Sequence, residues 1–116
     1  MTIAEAPERI RKGTPPSAVA WIGDRHAVVA EIDATGHIMT CTIERQGAPE
    51  QRYVALVVEA IGDRQRVVIL GPGNTRLLLE RAYVSIYHRP DRLVDVEEAG
   101  AVAEADLVRR LRELAA

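Results

Sequence analysis

Residues of the segment Gly71–Arg76 have types and spacings that could bind an anion. Backbone amides at the start of a helix attract negative charge, and glycines allow a phosphate to approach closely. The candidates for binding an anion or a partner are Gly71, Gly73, Asn74, Thr75 and Arg76. The segment has neither the Gly-Lys-Ser/Thr of a Walker loop nor the third glycine of a dinucleotide fingerprint. The competing interpretation is a tight strand-to-helix turn in which Asn74 or Thr75 caps the helix.

Three arginines near the end of the chain form a second group. Arg109, Arg110 and Arg112 could contact RNA. Positive charge also stabilises the last turn of a helix, and neighbouring acidic residues dilute the cluster. Proteins that bind phosphate backbones usually carry a strong positive excess, whereas the formal net charge of this chain is −2. We therefore expect no DNA binding, and any RNA contact must use a local basic patch.

Carboxylates that could serve a nuclease are too few. Ribonuclease-H-like nucleases need several carboxylates around two metal ions. Asp24 and Glu59 are the candidates, but the strand that ends at Leu70 is followed by Gly71 and Pro72 where an acid is required. Metal-dependent nuclease activity is therefore not expected.

The three histidines and the single cysteine are interpreted as structural or surface residues. His26 and His37 fall at opposite ends of a predicted hairpin, too far apart to share a metal ion, and His88 stands alone near a helix end. Cys41 lies in a predicted strand interior, where a small buried apolar role is more typical than a reactive thiol. One cysteine forms neither a disulfide framework nor a thiolate cluster. The sequence predicts no catalytic residue, no metal site and no cofactor.

Three β-rich runs begin the frame that positions these residues. The runs are Ala18–Ile22, His26–Asp33 and His37–Arg45. A Gly23-Asp24 turn joins the first two, and a short loop ending in Gly36 joins the second and third, which is a hairpin signature. Met39, Cys41 and Ile43 alternate with polar residues, which predicts a strand with one buried face.

Helices and two further strands complete the frame. The run Arg66–Leu70 does not alternate, which is typical of a strand covered on both faces. A last strand holds Leu93–Val96. Helical spacing predicts three apolar stripes, which are Tyr53, Leu56, Val57, Ala60 and Ile61; Leu78, Ala82 and Ile86 with Leu79, Tyr83 and Tyr87 beside them; and Val108, Leu111 and Ala115 with Leu107 and Leu114. Since helical crossovers make the last strands parallel to the first, the order βββαβαβα predicts an α/β fold with a mixed five-stranded sheet and helices on both faces.

The first 17 residues differ in character from the rest. Met1–Ser17 contains Gly13, Pro15 and Pro16 and is predicted to be a flexible arm, with one domain over residues 18–116. The arm lacks the apolar core of a secretory signal, and no run approaches the length of a membrane span. We therefore expect a cytoplasmic protein.

Two segments of this frame resemble a known group of proteins. The stretch Ala18–Ile22, with Arg25 and Ala27, resembles the opening of small bacterial proteins of the translational machinery type, and so does Val67–Gly73 leading into Asn74–Leu77. Both are similar to the middle domain of eukaryotic- and archaeal-type class-1 peptide-chain release factors and of Pelota. The resemblance covers nearly all of the chain after the predicted arm. It implies a ribonuclease-H-like fold and a role linked to translation.

The chain departs from that family at two places. Release factors carry a catalytic Gly-Gly-Gln between the third strand and the first helix, whereas the segment Arg45–Gln51 is shorter and lacks this tripeptide. Peptidyl-tRNA hydrolysis by the release-factor mechanism is therefore excluded. The small bacterial relatives tend to carry an acidic residue directly after Trp-Ile, where this chain has Gly23.

Two functions from different classes remain as predictions. The resemblance, together with the missing catalytic tripeptide, predicts a non-catalytic binding module associated with the ribosome or with tRNA-related machinery, although a shared fold is weak support for function. The alternative is a homo-oligomeric scaffold or regulatory protein unrelated to translation. It would form a dimer that buries the helix face around Tyr83 and Tyr87.

Overall fold

A mixed sheet of five strands forms the centre of the computed structural model, which describes residues 13–116. The strands are β1 (Ser17–Ile22), β2 (His26–Ile32), β3 (Ile38–Glu44), β4 (Arg66–Gly71) and β5 (Leu93–Glu98). Their spatial order is β3-β2-β1-β4-β5. β2 is antiparallel to β1 and to β3, whereas β4 is parallel to β1 and to β5. The predicted mixed sheet is confirmed.

Helices cover the two faces of the sheet unequally. They are α1 (Glu50–Ile61), α2 (Thr75–Tyr87) and α3 (Glu104–Ala115), and a short 3-10 turn at Pro90–Arg92 leads into β5. α1 and α2 pack side by side on one face, and α3 packs alone on the other. The predicted helices on both faces are confirmed.

The central strands are buried because both of their faces are covered. Every residue of β1 is buried, and five of the six residues of β4 are. Ala18, Ala20 and Ile22 point into the core under α1 and α2, while Val19 and Trp21 point toward α3. This two-sided burial explains why neither strand alternates in sequence.

The predicted apolar stripes are correct in part. α1 buries Tyr53, Val57 and Ile61 as predicted, but Val54 and Val58 take the remaining core positions, and Leu56 is 41% exposed. α2 buries Thr75, Leu79 and Tyr83, whereas the predicted Leu78 and Ile86 are exposed. α3 buries Leu107, Leu111 and Ala115. Each helix therefore has a core face rotated slightly from the predicted one.

The prediction that Cys41 is buried is wrong. Cys41 is exposed, and Met39 beside it is 56% exposed. Of the three residues on the predicted buried face, only Ile43 packs against the core. β3 is an outer strand that α1 barely reaches, so the predicted inner face is largely left open.

The described part of the predicted arm lies against the sheet. The Pro16 carbonyl accepts hydrogen bonds from the amides of Gln65 and Arg66, and Thr14 donates its amide to the Ala34 carbonyl at 3.2 Å. Ser17 is fully buried and begins β1, one residue before the predicted start. The rest of the predicted arm, residues 1–12, lies outside the described residues. Among the described helices, none is long and apolar enough to cross a membrane.

Candidate functional site at the carboxyl edge of the sheet

The loops that carry most of the candidate residues meet at one edge of the sheet. β1, β4 and β5 are parallel, so their carboxyl ends share this edge, and α1 and α2 both begin there. In open α/β sheets, ligands bind outside the carboxyl ends of the strands, where neighbouring connections diverge. Here the chain leaves β1 toward β2 and leaves β4 toward α2. This edge, called the carboxyl edge below, is the candidate functional site.

The two glycines of the β4–α2 turn have different roles. A Cβ atom on Gly71 would lie 2.4 Å from the Ile22 carbonyl oxygen, so glycine is required for β4 to end against β1. The Gly71 carbonyl also accepts a hydrogen bond from the Ala99 amide at 2.8 Å. A Cβ on Gly73 would have no atom within 4 Å. Gly71 is therefore structural, and Gly73 leaves open space above the turn.

A carboxylate lies at the start of α2, at the candidate anion site. The Thr75 hydroxyl is buried and donates to a carboxylate oxygen of Glu50 at 3.1 Å. Asn74 occupies the N-cap position but makes no side-chain capping bond. Because Glu50 brings negative charge to this helix terminus, an external anion has to compete with it.

Arg76 is directed toward its own turn. Its Nη1 donates to the Gly73 carbonyl at 2.6 Å, and its Nε is buried without a hydrogen-bond partner among residues 13–116. The structure thus brings the five predicted turn residues together. Thr75 and Arg76 are engaged within the protein, as expected of a strand-to-helix turn, but α2 lacks the side-chain capping bond of the competing interpretation.

The β3–α1 junction is a tight turn held by Arg45. Gln46 and Gly47 both have positive φ (52° and 76°), and the Ala48 amide donates to the Arg45 carbonyl at 3.0 Å. The Arg45 Nε donates to the Ala48 carbonyl at 2.7 Å, and Nη1 donates to the Asp24 carbonyl at 3.3 Å. These bonds close the short loop and tie it to the β1–β2 turn.

Tyr53 anchors the same junction from the core side. Its ring is fully buried, its hydroxyl donates to the Gly23 carbonyl at 2.8 Å, and the Arg45 guanidinium lies 5.6 Å from the ring centroid. Burial raises the pKa of Tyr53 to about 12. Sequence reasoning placed Tyr53 in a core stripe and missed its polar role. The available signal was a tyrosine in the first turn of a helix, since a buried phenol usually finds a hydrogen-bond partner.

Trp21 explains why glycine follows the Trp-Ile pair. The indole Nε1 donates to the carbonyls of Ala99 at 3.2 Å and Gly100 at 2.8 Å, which fixes the loop between β5 and α3. A Cβ on Gly23 would lie 2.6 Å from the tip of the indole ring. Any side chain at position 23, including an acidic one, would therefore collide with Trp21.

An open cleft of about 600 Å³ lies between the β1–β2 turn and the β3–α1 junction. It is lined by Asp24, Arg25, Glu44, Arg45, Gln46 and Gly47. Its charges are mixed, and Asp24, Arg25 and Gln46 are exposed at its rim. These groups can form hydrogen bonds and ion pairs with a polar partner surface. They do not enclose a small molecule.

The predicted basic cluster lies away from this edge. α3 starts near the carboxyl edge and ends at the opposite one, where Arg66 at the start of β4 donates to the Leu114 carbonyl at 2.8 Å. Arg110 forms an ion pair with Glu97, and this hydrogen bond lowers the pKa of the glutamate. Arg109 lies 3.4 Å from Asp106. The arginines of α3 are therefore partly neutralised and separate from the turn residues.

In the described part of the chain, the acidic and histidine residues are not assembled for metal chemistry. Asp24 is at the carboxyl edge, whereas Glu59 lies near the far end of α1. His26 and His37 are at opposite ends of the β2–β3 hairpin, as predicted. Within residues 13–116, no three His, Cys, Asp or Glu side chains are grouped so that they could hold a metal ion.

The α2 face that the alternative hypothesis assigned to a dimer is largely occupied by contacts within the protein. Tyr83 is fully buried, donates its hydroxyl to the Gly62 carbonyl at 2.9 Å and accepts the Arg64 amide at 3.2 Å. Tyr87 is half-buried and packs against it, with ring centroids 4.8 Å apart. Tyr83 is therefore not accessible for the dimer contact that the alternative hypothesis required, and Tyr87 is accessible only in part.

Comparison with solved structures identifies the fold. The chain is similar to Pelota from Archaeoglobus fulgidus, with a TM-score of 0.63 and 14% identity, and to Pelota from Thermoplasma acidophilum, with a TM-score of 0.61 and 18% identity. Each match covers 97% of this chain but only 37% and 38% of the respective Pelota chain. No protein-family profile and no curated protein matches the sequence. The predicted ribonuclease-H-like α/β fold is confirmed.

Proposed function

We propose that this chain is a non-catalytic binding module that docks on the ribosome through the carboxyl edge. The fold likeness to Pelota supports a link to translation. The observation that carries the proposal is the β3–α1 junction. In release factors this position holds the catalytic tripeptide, whereas here Arg45 and Tyr53 fasten a short turn to the protein.

The carboxyl edge offers groups suited to docking. Arg25 and Arg52 are exposed there, on the β1–β2 turn and in the first turn of α1, and Gln46 projects at the tip of the junction. Arginine is well suited to phosphate recognition because its guanidinium donates paired hydrogen bonds. Contacts of this kind weaken as salt rises, because phosphate binding releases counterions.

Ribosome pelleting tests the proposal. The full chain should sediment with purified ribosomes at low salt and be released as the salt concentration rises. Arg25→Glu combined with Arg52→Glu should weaken binding at least about tenfold, since two phosphate contacts become repulsive. The matched control, Arg109→Glu with Arg112→Glu, makes the same change in net charge on α3 and should bind nearly as well as the wild type.

Two results would reject the proposal. One is a chain that stays in the supernatant with ribosomes at all salt concentrations. The other is a loss of binding in the α3 variant that equals or exceeds the loss in the carboxyl-edge variant. Circular dichroism of each variant shows whether the fold is retained.

A further inference from the structure

β3 presents an unprotected edge. Among residues 13–116 no strand lies on its outer side, so half of its backbone amides and carbonyls have no sheet partner. Proteins usually protect such an edge with a bulge, a proline or inward-pointing charge. β3 has no proline, its pairing with β2 is regular over seven residues, and its one charged residue, Glu44, stands at the end. Within the described part of the chain, the edge is therefore open to pairing with another strand.

An apolar strip lies beside this edge on the face that α1 covers. Cys41 pairs with Val29, a residue of the core under α1, so the exposed Cys41 and Met39 point to that face. Leu56, 41% exposed, lies on the flank of α1 away from α2, because Val54 lines the groove against α2 from the opposite flank. A fitting partner would add a strand and would bring apolar side chains to the same face.

We propose that the partner is a second copy of this chain, joined by antiparallel β3–β3 pairing about a twofold axis. The register centred on Cys41 uses all seven residues of the strand. It places Met39 opposite Ile43 of the second copy and Thr40 opposite Thr42. Apolar pairs and threonine pairs are favourable across strands, and the two Glu44 carboxylates are held at opposite ends of the interface.

The symmetry also brings the two apolar strips together. A twofold axis perpendicular to the sheet keeps α1 of both copies on the same face of the extended sheet. Met39 and Leu56 of each copy then border a shared groove over the paired strands. Removing these side chains from water favours association in addition to the new backbone hydrogen bonds. This dimer does not depend on the proposed ribosome docking, since β3 contributes only its last residue, Glu44, to the cleft.

Sedimentation of the full chain tests the dimer. At about 100 µM protein, where a micromolar dimer would predominate, the wild type should sediment as a dimer. Cys41→Glu places two carboxylates opposite each other on the axis and should give a monomer at the same concentration. Cys41→Ser, the matched control at this exposed position, should remain dimeric. Circular dichroism should show that all three chains are folded.

Disulfide cross-linking tests the register. In the proposed pairing the Cα atoms of the two Cys41 residues are about 4.5–5.5 Å apart, within the range of a disulfide. The combination of Cys41→Ser with Thr42→Cys moves the thiol one residue along, and the two Thr42 Cα atoms are more than about 8 Å apart. Mild oxidation with diamide should therefore cross-link the wild type at least about tenfold faster than this variant.

Three outcomes would overturn the inference. The wild type could be monomeric at the highest concentration. That result would also be seen if another segment or another protein covered the β3 edge. The Cys41→Glu variant could remain dimeric, which would place the interface elsewhere. The two single-cysteine chains could cross-link at equal rates, which would indicate random collision and exclude this register.

Discussion

The two strand-to-helix junctions that start α1 and α2 lie side by side at the carboxyl edge, yet different interactions hold them. The β3–α1 junction is fastened by side chains, with Arg45 bonded to the loop and Tyr53 bonded to Gly23. The β4–α2 junction is fixed by a glycine, Gly71, that lets two backbones meet. A junction fixed by backbone packing tolerates no added atom. A junction held by side-chain bonds can lose them one at a time.

The largest effect is expected at Gly71. Gly71→Ala should lower the free energy of unfolding by about 3 kcal/mol, because the added methyl group would meet the Ile22 carbonyl in a fully packed strand. Gly73→Ala, two residues away with open space around it, should change stability by less than about 0.5 kcal/mol. Urea denaturation of the two variants measures the difference. Equal effects would show that Gly71 is not needed for the close approach.

A smaller loss is expected from the tyrosine that anchors the first junction. Tyr53→Phe leaves the buried Gly23 carbonyl without its hydroxyl donor and should cost about 1.5 kcal/mol of unfolding free energy. Tyr87→Phe is the control, since no hydrogen bond from the Tyr87 hydroxyl is found among residues 13–116, and it should cost less than about 0.5 kcal/mol. A neutral Tyr53→Phe variant would show that the junction does not depend on this bond.

The same tyrosine predicts a loss of stability at alkaline pH. Its pKa is raised by burial from 10.0 to about 12 in the folded chain. Because the folded pKa lies above the unfolded one, this stabilisation is fully present below pH 10 and is lost as the pH rises toward 12. Across this pH range, the free energy of unfolding should fall less steeply for Tyr53→Phe than for the wild type. Parallel pH profiles would contradict the assignment.

A smaller loss of stability is expected from the arginine of the β3–α1 junction. Arg45→Met keeps most of the aliphatic length but removes the bonds to Ala48 and Asp24 and the guanidinium beside the Tyr53 ring. We expect a loss of about 1 kcal/mol. Arg25→Met, at an exposed position in the same cleft, is the control and should be nearly neutral in stability. Thermal melts of both variants show whether the Arg45 bonds stabilise the loop or whether the loop is stable only because it is short.

The smallest effect is expected at the start of α2. Glu50→Gln weakens the bond from Thr75 and should cost about 0.5 kcal/mol. Loss of the carboxylate charge should also allow inorganic phosphate to stabilise the variant more than it stabilises the wild type, since the turn amides then face no competing anion. A thermal-shift titration with phosphate measures both chains. Identical shifts would indicate that the Gly71–Arg76 turn is not an anion site.

Much of the fold could be predicted because its central signal is local. Two-sided burial removes alternation from β4, and this pattern alone placed Arg66–Leu70 in the middle of the sheet. The face of α1 could not be predicted equally well. Residues 53–58 are apolar without interruption, so several stripes fit a helical period, and only contact with the sheet selects Val54 and Val58 over Leu56 and Ala60.

The candidate site was predictable where it depends on glycine and was missed where it depends on distant partners. The turn at Gly71–Arg76 is visible in sequence because glycines directly follow an apolar strand and precede a helical pattern. The bond between Tyr53 and Gly23 joins residues 30 positions apart, and no local pattern reports it. The exposure of Cys41 likewise depends on β3 being an outer strand. β3 is outermost because β4 and β5 join the sheet on the side of β1 that faces away from β2.

Hydrogen exchange of the chain with and without purified ribosomes tests docking through the carboxyl edge most directly. We predict that ribosomes slow amide exchange in the β1–β2 turn, at residues 23–25, and in the β3–α1 junction, at residues 45–52. Exchange in α3 should be unchanged. Protection confined to Glu104–Ala115, or an exchange pattern that ribosomes leave unaltered throughout, would contradict the proposed function.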